Sequence, residues 1–207
     1  MTIEDTRRLE SCLTAGGVAI IPTDTVYGIA CDPDSAGAVQ RIYELKRRPP
    51  AKPVAVMFFS LDAALDVLVE VGGRTREALH AILPGPVTLL LANPQRRFPL
   101  ACDPSGEAER PPLGLRVPRL EGELAPLAAV RASVLQSSAN FSGEPPAQRL
   151  SDVPAELREG ADLVLDGGEL PGLASTVIDL SEYERSGNWH IVREGPLSET
   201  AVERLLD

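Results

Sequence analysis

Histidine and cysteine are scarce in this 207-residue chain, which contains two histidines and three cysteines. The cysteines, Cys12, Cys31 and Cys102, are odd in number and far apart, so they offer neither a disulfide framework nor the close spacing of a metal-ligand set. His80 and His190 have no other ligand type near them in sequence. We expect all five to be structural or surface residues, and cysteines without a pairing pattern favour a reducing cytoplasm.

Long apolar runs and a net positive charge are also missing. No run approaches the roughly 18 residues of a membrane span, and the first residues, MTIEDTRRLESCL, are too charged for a signal peptide. We therefore expect a cytoplasmic protein that does not associate with membranes. The formal net charge of −10 argues against broad nucleic-acid binding, which depends on neutralising phosphates. A local basic pocket remains possible, because charge is screened over roughly 8–10 Å at physiological salt.

The sequence contains neither a GxxxxGK[ST] phosphate loop nor a GxGxxG fingerprint. Two histidines in unsuitable positions also leave no plausible Ser-His-Asp set. If the protein is an enzyme, we expect its reaction to depend on positioning and charge stabilisation rather than on general base catalysis.

The segment KRRPPAKP, residues 46–53, concentrates four cations among prolines in an acidic chain. Prolines exclude a helix and fix the directions of the cations, which suits a segment that must grip an anion. We expect this loop to be exposed and to contribute little to packing.

Apolar runs alternate with turn-rich gaps over the whole chain, with no composition break or internal repeat. We predict an α/β fold, with residues 1–207 forming a single domain that contains a twisted, mixed parallel and antiparallel sheet with flanking helices. Residues 23–34 and 93–112 are predicted to be loops, the second long and mobile. Strands are predicted near 18–22, 53–59, 87–92, 113–118, 133–139, 161–166, 175–180 and 189–194. Helices are predicted near 3–15, 36–46, 61–70, 75–83, 122–131 and 152–160, and after Ser198.

Polar loops adjoin several of these strands, at the places where sheet proteins bind ligands. PTDT follows the first strand, SSANFSGEPP ends the strand that begins near Ser133, and REGP ends the last one. Each loop taken alone is also explained by turn chemistry. Their joint presence favours a binding site, because a purely structural explanation must account for each loop separately.

Seven segments occur in the order found in one known family: GGVAIIPTDTVYGIACD, LKRRPPAKPVAV, PGPVTLLL, LGLRVP, SSANFSG, LASTVIDL and VREGP. From about residue 3 to residue 200, the chain resembles the YrdC-like threonylcarbamoyl-AMP synthases. The resemblance implies formation of L-threonylcarbamoyladenylate and pyrophosphate from L-threonine, bicarbonate and ATP, with Mg²⁺ held through the ATP phosphates. The product would serve the threonylcarbamoyladenosine modification of tRNA, through tRNA threonylcarbamoyl transferase subunits and with at most weak or indirect contact to tRNA.

The resemblance also assigns roles to individual residues. The residues implied to be catalytic are Lys46, Arg48, Ser138 and Asn140. Those implied to bind ATP are Lys46, Arg48, Thr88, Ser138, Asn140 and Arg193. Those implied to bind L-threonine are Thr23, Arg116 and Ser175, where the guanidinium of Arg116 is suited to the amino acid's carboxylate. No side chain is assigned directly to the metal.

Other polar and aromatic residues have plainer interpretations. We expect Arg47 and Lys52 to be solvated neighbours of Lys46 and Arg48. We expect Asp24 to fix a turn. Tyr27 and Trp189 are expected to pack rather than to stack on a base, and Cys31 to be a small buried residue. Met57 stands where some relatives have a histidine, so any threonine contact made by that histidine is absent or replaced by apolar packing.

Two alternatives remain open. One is a module that binds tRNA or other structured RNA through the K-x-R loop and Arg96-Arg97, although the acidic balance and the lack of interleaved aromatics weigh against it. The other is a paralogue with the same fold that acts on another carbamoyl acceptor or on none.

Overall fold

The computed structural model describes residues 1–49, 52–106 and 108–206. Pro50 and Ala51, in the middle of the predicted cationic loop, lie outside the described residues, as do Glu107 and Asp207. The strands are β1 (Val18–Ile21), β2 (Gly28–Cys31), β3 (Ala55–Met57), β4 (Val87–Leu91), β5 (Leu113–Arg116), β6 (Val134–Ser138), β7 (Leu163–Val164), β8 (Thr176–Asp179) and β9 (His190–Arg193). The α-helices are α1 (Ile3–Thr14), α2 (Ala36–Leu45), α3 (Leu61–Val67), α4 (Gly73–Ile82), α5 (Pro99–Cys102), α6 (Ala155–Glu159), α7 (Tyr183–Ser186) and α8 (Glu199–Leu206).

All of these strands belong to one sheet, in the order β7-β1-β2-β6-β3-β5-β4-β8-β9. The pairs β1–β7, β3–β5 and β4–β8 are parallel, and the remaining neighbours are antiparallel. The predicted fold class, a mixed sheet with flanking helices, is therefore confirmed. That residues 1–207 form a single domain stays a prediction.

The two faces of the sheet are covered differently. Alternate strand residues such as Leu89 and Leu115 point into a large core on one face, which α2, α3, α4 and α8 also line. On the other face, α1 and a 3₁₀ segment, Gly122–Ala129, bury a smaller core. Among the strands, α1 has its main contacts with β1 and β7. In the described part of the chain, the part of this face on β6, β3, β5, β4 and β8 that lies beyond the smaller core is not covered by a helix.

Helix ends follow the predicted capping chemistry in part. Thr2 and Asp5 form a reciprocal capping box at the start of α1. The hydroxyl of Ser198 accepts from the amide of Ala201 and caps α8, as predicted. Ser35 is the N-cap residue of α2, but its side chain makes no capping hydrogen bond.

Three sequence predictions are wrong. Residues 23–34 include a strand, β2, whose small and apolar residues are fully buried between β1 and β6. The predicted mobile loop at 93–112 contains α5, where Ala101 and Cys102 are buried and the carbonyl of Ala101 accepts from the amide of Val54. Residues Gly122–Ala129 form a 3₁₀ rather than an α-helix, with Pro126 inside, because proline cannot donate the amide that an α-helical turn needs.

Candidate active site

The uncovered part of the second sheet face forms a cavity of about 480 Å³, within the size range of small-molecule sites, roughly 300–1,000 Å³. Its floor is made of alternate strand residues, as the two-residue period of a strand requires. The floor residues are Ala55, Thr88, Leu90, Gly114, Arg116, Gln136, Ser138 and Val177.

Lys46 ends α2 and points into this cavity, where its Nζ donates to the carbonyl oxygens of Ser138 and Asn140. Only 1% of the residue is exposed. The prediction that the cationic segment is exposed and contributes little to packing is therefore wrong for Lys46. Because an ammonium carries three N–H donors, one remains for a ligand after the two carbonyls are satisfied.

Burial lowers the pKa of Lys46 to about 7, and repulsion from Arg48 and Lys52 acts in the same direction. A desolvated ammonium surrounded by other cations is stabilised when an anion enters. The loop cations, Lys46, Arg48 and Lys52, thus form one positive cluster at the wall of the cavity.

Arg48 is held by main-chain acceptors. Its guanidinium donates to the carbonyls of Lys52 (3.2 Å) and Pro53 and lies 5.9 Å from the ring centroid of Tyr43. These contacts hold Lys52 and Pro53 beside Arg48, and Lys52 lines the cavity. Lys52 is exposed, which confirms the prediction of a solvated neighbour. Its place in the cavity lining was not predicted, because an exposed lysine two residues past a proline pair has no distinguishing pattern.

Arg47 points away from the cavity. Its side chain pairs with Glu156 at 2.7 Å, with both side chains about two thirds exposed (66% and 65%), and its guanidinium lies 4.3 Å from the ring centroid of Phe141. The prediction of a solvated neighbour is confirmed for Arg47.

Arg116 reaches the cavity from β5, with 3% of the residue exposed. Its Nη2 donates to Asp24 Oδ1 (2.6 Å) and Thr25 Oγ1 (2.6 Å). Burial lowers the pKa of Arg116. The carboxylate of Asp24 raises this pKa, and repulsion from Arg193 lowers it further. We call Arg116 and Arg193 the sheet cations, since both line the cavity and extend from strands of the sheet.

Asp24 has the positioning role that the sequence predicted. Burial raises the pKa of its carboxyl, and the Arg116 guanidinium works in the opposite direction. Its Oδ2 accepts from the amide of Arg119 at 2.9 Å. Asp24 thereby ties the PTDT turn to the end of β5 and orients Arg116.

Thr23 and Thr25 are both buried, but they differ in whether they line the cavity. Thr23 is 1% exposed, its Oγ1 donates to the carbonyl of Val26 at 2.7 Å, and it does not line the cavity. Thr25, two residues on, does line it and lies 3.1 Å from Thr23 between the two hydroxyl oxygens. The predicted contact of Thr23 with L-threonine stays a prediction, and Thr25 is the hydroxyl that the structure presents to the cavity.

Three predicted residues from the two ligand groups form one hydrogen-bonded cluster. Thr88 Oγ1 and Ser175 Oγ are 2.9 Å apart, and Arg193 Nη2 donates to both the carbonyl (2.7 Å) and hydroxyl (3.1 Å) of Ser175. Gly195 allows this arrangement, because a Cβ there would overlap the backbone of 174–176. The structure thus brings these residues together without separating an ATP side from a threonine side.

Ser138, at the end of β6, and Asn140, two residues beyond it, line the cavity beside Lys46. The Asn140 side-chain amide donates to the carbonyls of Phe141 and Glu144, which leaves its Oδ1 buried and without a hydrogen-bond partner among the described residues. Among the lining residues that the structure describes, Glu144 carries the single carboxylate, against five lysines and arginines.

The remaining predicted residues lie where sequence analysis put them. Tyr27 is fully buried and its hydroxyl donates to Asp166 and Gly168, and Trp189 packs against the larger core. Burial raises the pKa of Cys31 to about 12. Met57 is 1% exposed in the smaller core, which confirms apolar packing at that position.

The cavity brings together residues from several of the loops that the sequence analysis singled out. Comparison with known proteins shows the family to which the chain belongs. The Sua5_yciO_yrdC family model, described as telomere recombination, matches residues 11–195. The chain belongs to the Sua5/YciO/YrdC family.

Relatives within this family carry specific names. A protein of Chromohalobacter salexigens named threonylcarbamoyl-AMP synthase is 35% identical over 176 residues, covering 84% of this chain and 91% of the relative. A protein of Xanthomonas campestris pv. campestris with the same name is 36% identical over 166 residues, covering 78% of this chain and 84% of that one.

A solved structure in the family shares the fold closely. P. abyssi Sua5 complexed with L-threonine superposes with a TM-score of 0.82 at 26% identity, covering 99% of this chain. The chain spans 58% of the length of that Sua5.

Proposed function

We propose that the protein is a threonylcarbamoyl-AMP synthase that converts L-threonine, bicarbonate and ATP to L-threonylcarbamoyladenylate and pyrophosphate. The observation that carries this proposal is the cavity itself. It holds two clusters of cations, the loop cations and the sheet cations, and the floor residues other than Arg116 are uncharged. The names of the relatives support the same reaction.

The two clusters suit the two anionic ends of the reactants. The sheet cation Arg116 binds the threonine carboxylate, with Thr25 and Ser175 beside it. The loop cations, with Ser138 and Asn140, bind the triphosphate. This division follows the geometry, since Lys46 contacts the carbonyls of Ser138 and Asn140, whereas Arg116 and Arg193 extend from β5 and β9.

The reaction needs little proton transfer from the protein. The ammonium group of threonine first loses a proton to solvent or to a second bicarbonate. The neutral amine then adds to the carbon of bicarbonate, and one N–H proton leaves with a bicarbonate oxygen as water. An oxygen of the resulting carbamate then attacks the α-phosphorus in line, and the bond from that phosphorus to pyrophosphate breaks. Orientation and charge neutralisation supply the catalysis, as expected for a cavity whose described lining contains no histidine.

The residues of the cavity could hold Mg²⁺ together with the phosphates of ATP. Within the described part of the chain, no group of three His, Cys, Asp or Glu residues can hold a metal, but Mg²⁺ is commonly held by one or two protein oxygens together with substrate phosphates. The unpartnered Oδ1 of Asn140 and the hydroxyl of Ser138 are such oxygens. When bound there, Mg²⁺ would neutralise phosphate charge.

The wider setting is part of the proposal. The adenylate would pass to tRNA threonylcarbamoyl transferase subunits for modification of tRNA, in the cytoplasm. Among the described residues, no helix is long and apolar enough to cross a membrane.

An RNA-binding module is less well supported. The cations of the cavity are recessed, with Lys46 and Arg116 almost fully buried. Arg96 and Arg97, the other proposed RNA contacts, are paired with Asp103 (3.5 Å) and Glu70 (2.6 Å). A paralogue acting on another carbamoyl acceptor has no observation that favours it over the synthase.

The test is release of pyrophosphate that requires ATP, bicarbonate and L-threonine together. Arg48→Ala should lower the rate at least roughly tenfold, because one charge-assisted contact to phosphate is lost. Arg47→Ala is the matched control, since it removes the adjacent cation outside the cavity and an exposed ion pair of little worth. Equal rates in the two variants would contradict the assigned triphosphate site, and threonine-independent release would contradict the reaction.

A further inference from the structure

Gln136 is a buried polar residue of the cavity for which the residue assignments above provide no role. It lies on β6, two residues before Ser138 and on the same face of the strand, and it lines the cavity with 7% of the residue exposed. Its side-chain amide makes no hydrogen bond to any of the residues that the structure describes. The amide atoms are not fully enclosed, since the buried side-chain atoms without a partner do not include them. They face the cavity, where the donor and acceptor of the amide are available to a ligand.

The sheet register places Gln136 between the two cation clusters. Gln136 is opposite Ala55 on β3, in the row of the sheet that lies between the row of Met57 and Arg116 and the row of Ser138. Ala55 and Gly114 complete the floor beside it with little or no side chain. The backbone of Gln136 therefore lies in a row of the floor between the row of Arg116 and the row of Ser138.

Gly28 leaves room for the side chain of Gln136, because glycine has no Cβ. A Cβ at Gly28 would overlap the Nε2 of Gln136 and lie 3.1 Å from its Cδ. The glutamine side chain thus lies across β2 toward Ser138, which is the partner of Gly28 in the adjacent strand.

We propose that Gln136 binds bicarbonate and the carbamate formed from it, an inference that rests on the proposed synthase function. The carbamate is the group that joins the amino acid to the α-phosphate, so it must lie between the two ends of the cavity. A carbamate presents oxygen acceptors and one N–H donor. A glutamine amide matches both, because its Nε2 donates and its Oε1 accepts.

A neutral side chain suits this position better than a charged one. A lysine or arginine here would compete with the loop cations for phosphate, and a carboxylate would repel both bicarbonate and carbamate. Gln136 takes up no proton and forms no covalent bond. Its role is to hold the carbamate oxygen for in-line attack.

The experiment compares Gln136→Leu with wild type in steady-state assays over a range of bicarbonate, at saturating ATP and threonine. The KM for bicarbonate should rise at least roughly tenfold, as expected for loss of hydrogen bonds to an anion. Affinities for ATP and threonine, measured by calorimetry without bicarbonate, should change less than about twofold, because these ligands' charged ends lie elsewhere. Gln40→Leu is the control, because Gln40 is exposed on α2 and outside the cavity.

The outcomes separate this inference from the function on which it rests. If wild type forms product and Gln136→Leu leaves the bicarbonate KM unchanged, or weakens threonine binding instead, Gln136 does not bind the carbamate. If wild type forms no threonylcarbamoyladenylate, the proposed function fails and this inference fails with it. Should Gln136→Leu not fold, Gln136→Glu serves the same purpose, because its charge repels bicarbonate and must raise the same KM.

Discussion

At the scale of single residues, Lys46 combines two tasks at one nitrogen. Its Nζ donates to the carbonyls of Ser138 and Asn140 and so fixes the position of this segment. The protonated amine retains one further N–H donor for phosphate. Burial lowers its pKa to about 7. Lys46 is thus only partly protonated at neutral pH until an anion arrives.

This leads to a prediction about protons. Phosphate beside Lys46 must raise its pKa above about 7, so ATP binding at pH 8 should take up a fraction of one proton, which grows as the bound-state pKa rises. ATP affinity should accordingly fall as pH rises from about 7 toward the bound-state pKa. Calorimetry in buffers of different ionisation enthalpy measures the uptake.

Lys46→Arg provides the control for that measurement. An arginine stays protonated throughout this range, so the variant should bind ATP without the uptake. Uptake of equal size in the variant would mean that another group titrates.

Arg116 and Asp24 form the other residue-scale unit. Arg116→Lys keeps a charge but loses the planar fork that reaches Asp24 and Thr25, so it should weaken threonine binding at least roughly tenfold and leave ATP binding nearly unchanged. Calorimetry with each ligand alone tests this. An equal loss for both ligands would place Arg116 on the nucleotide instead.

At the scale of elements, the sequence predicted most strands and the loops that carry the site, because apolar runs between turn residues are strong local signals. It failed at β2, where a buried strand of GIAC follows polar residues without an alternating pattern. It also failed at Lys46, since burial of a lysine depends on main-chain carbonyls 92 and 94 residues away. Such long-range partners leave no local pattern in the sequence.

The REGP segment, residues 193–196, follows β9 and approaches the backbone of residues 174–176 at Gly195. Substitution of Gly195 tests whether this close approach matters. In Gly195→Ala the new Cβ would lie 2.6 Å from the carbonyl oxygen of Ala174. It should push this segment and Arg193 away from Ser175, with a loss of about 1–3 kcal/mol of stability and a marked loss of activity. Thermal unfolding and the pyrophosphate assay measure the two effects.

Gly37→Ala is the matched control for the Gly195 variant. Gly37 lies in α2 with open space around its Cβ position, so alanine there should add about 0.5–1 kcal/mol of stability. A Gly195 variant that behaves like the Gly37 variant would show that close backbone approach at REGP is unimportant.

At the scale of the whole molecule, an acidic chain of net charge −10 concentrates five cations at one cavity and keeps its histidines and cysteines outside it. His80→Gln, His190→Gln and a variant lacking Cys12, Cys31 and Cys102 should therefore each keep at least about a third of wild-type turnover per folded molecule. Circular dichroism controls for folding, since Cys31 and Cys102 are buried. A hundredfold loss in a folded variant would show that the reaction uses a side-chain base or nucleophile.

The central claim is that this cavity joins threonine, bicarbonate and ATP in one adenylate. Mass spectrometry of a reaction containing ¹³C-bicarbonate, L-threonine, ATP and Mg²⁺ tests it most directly. The account predicts a threonylcarbamoyladenylate that carries the labelled carbon, with an equal amount of pyrophosphate. An adenylate of threonine itself without the labelled carbon, or hydrolysis of ATP with threonine unchanged, would contradict it.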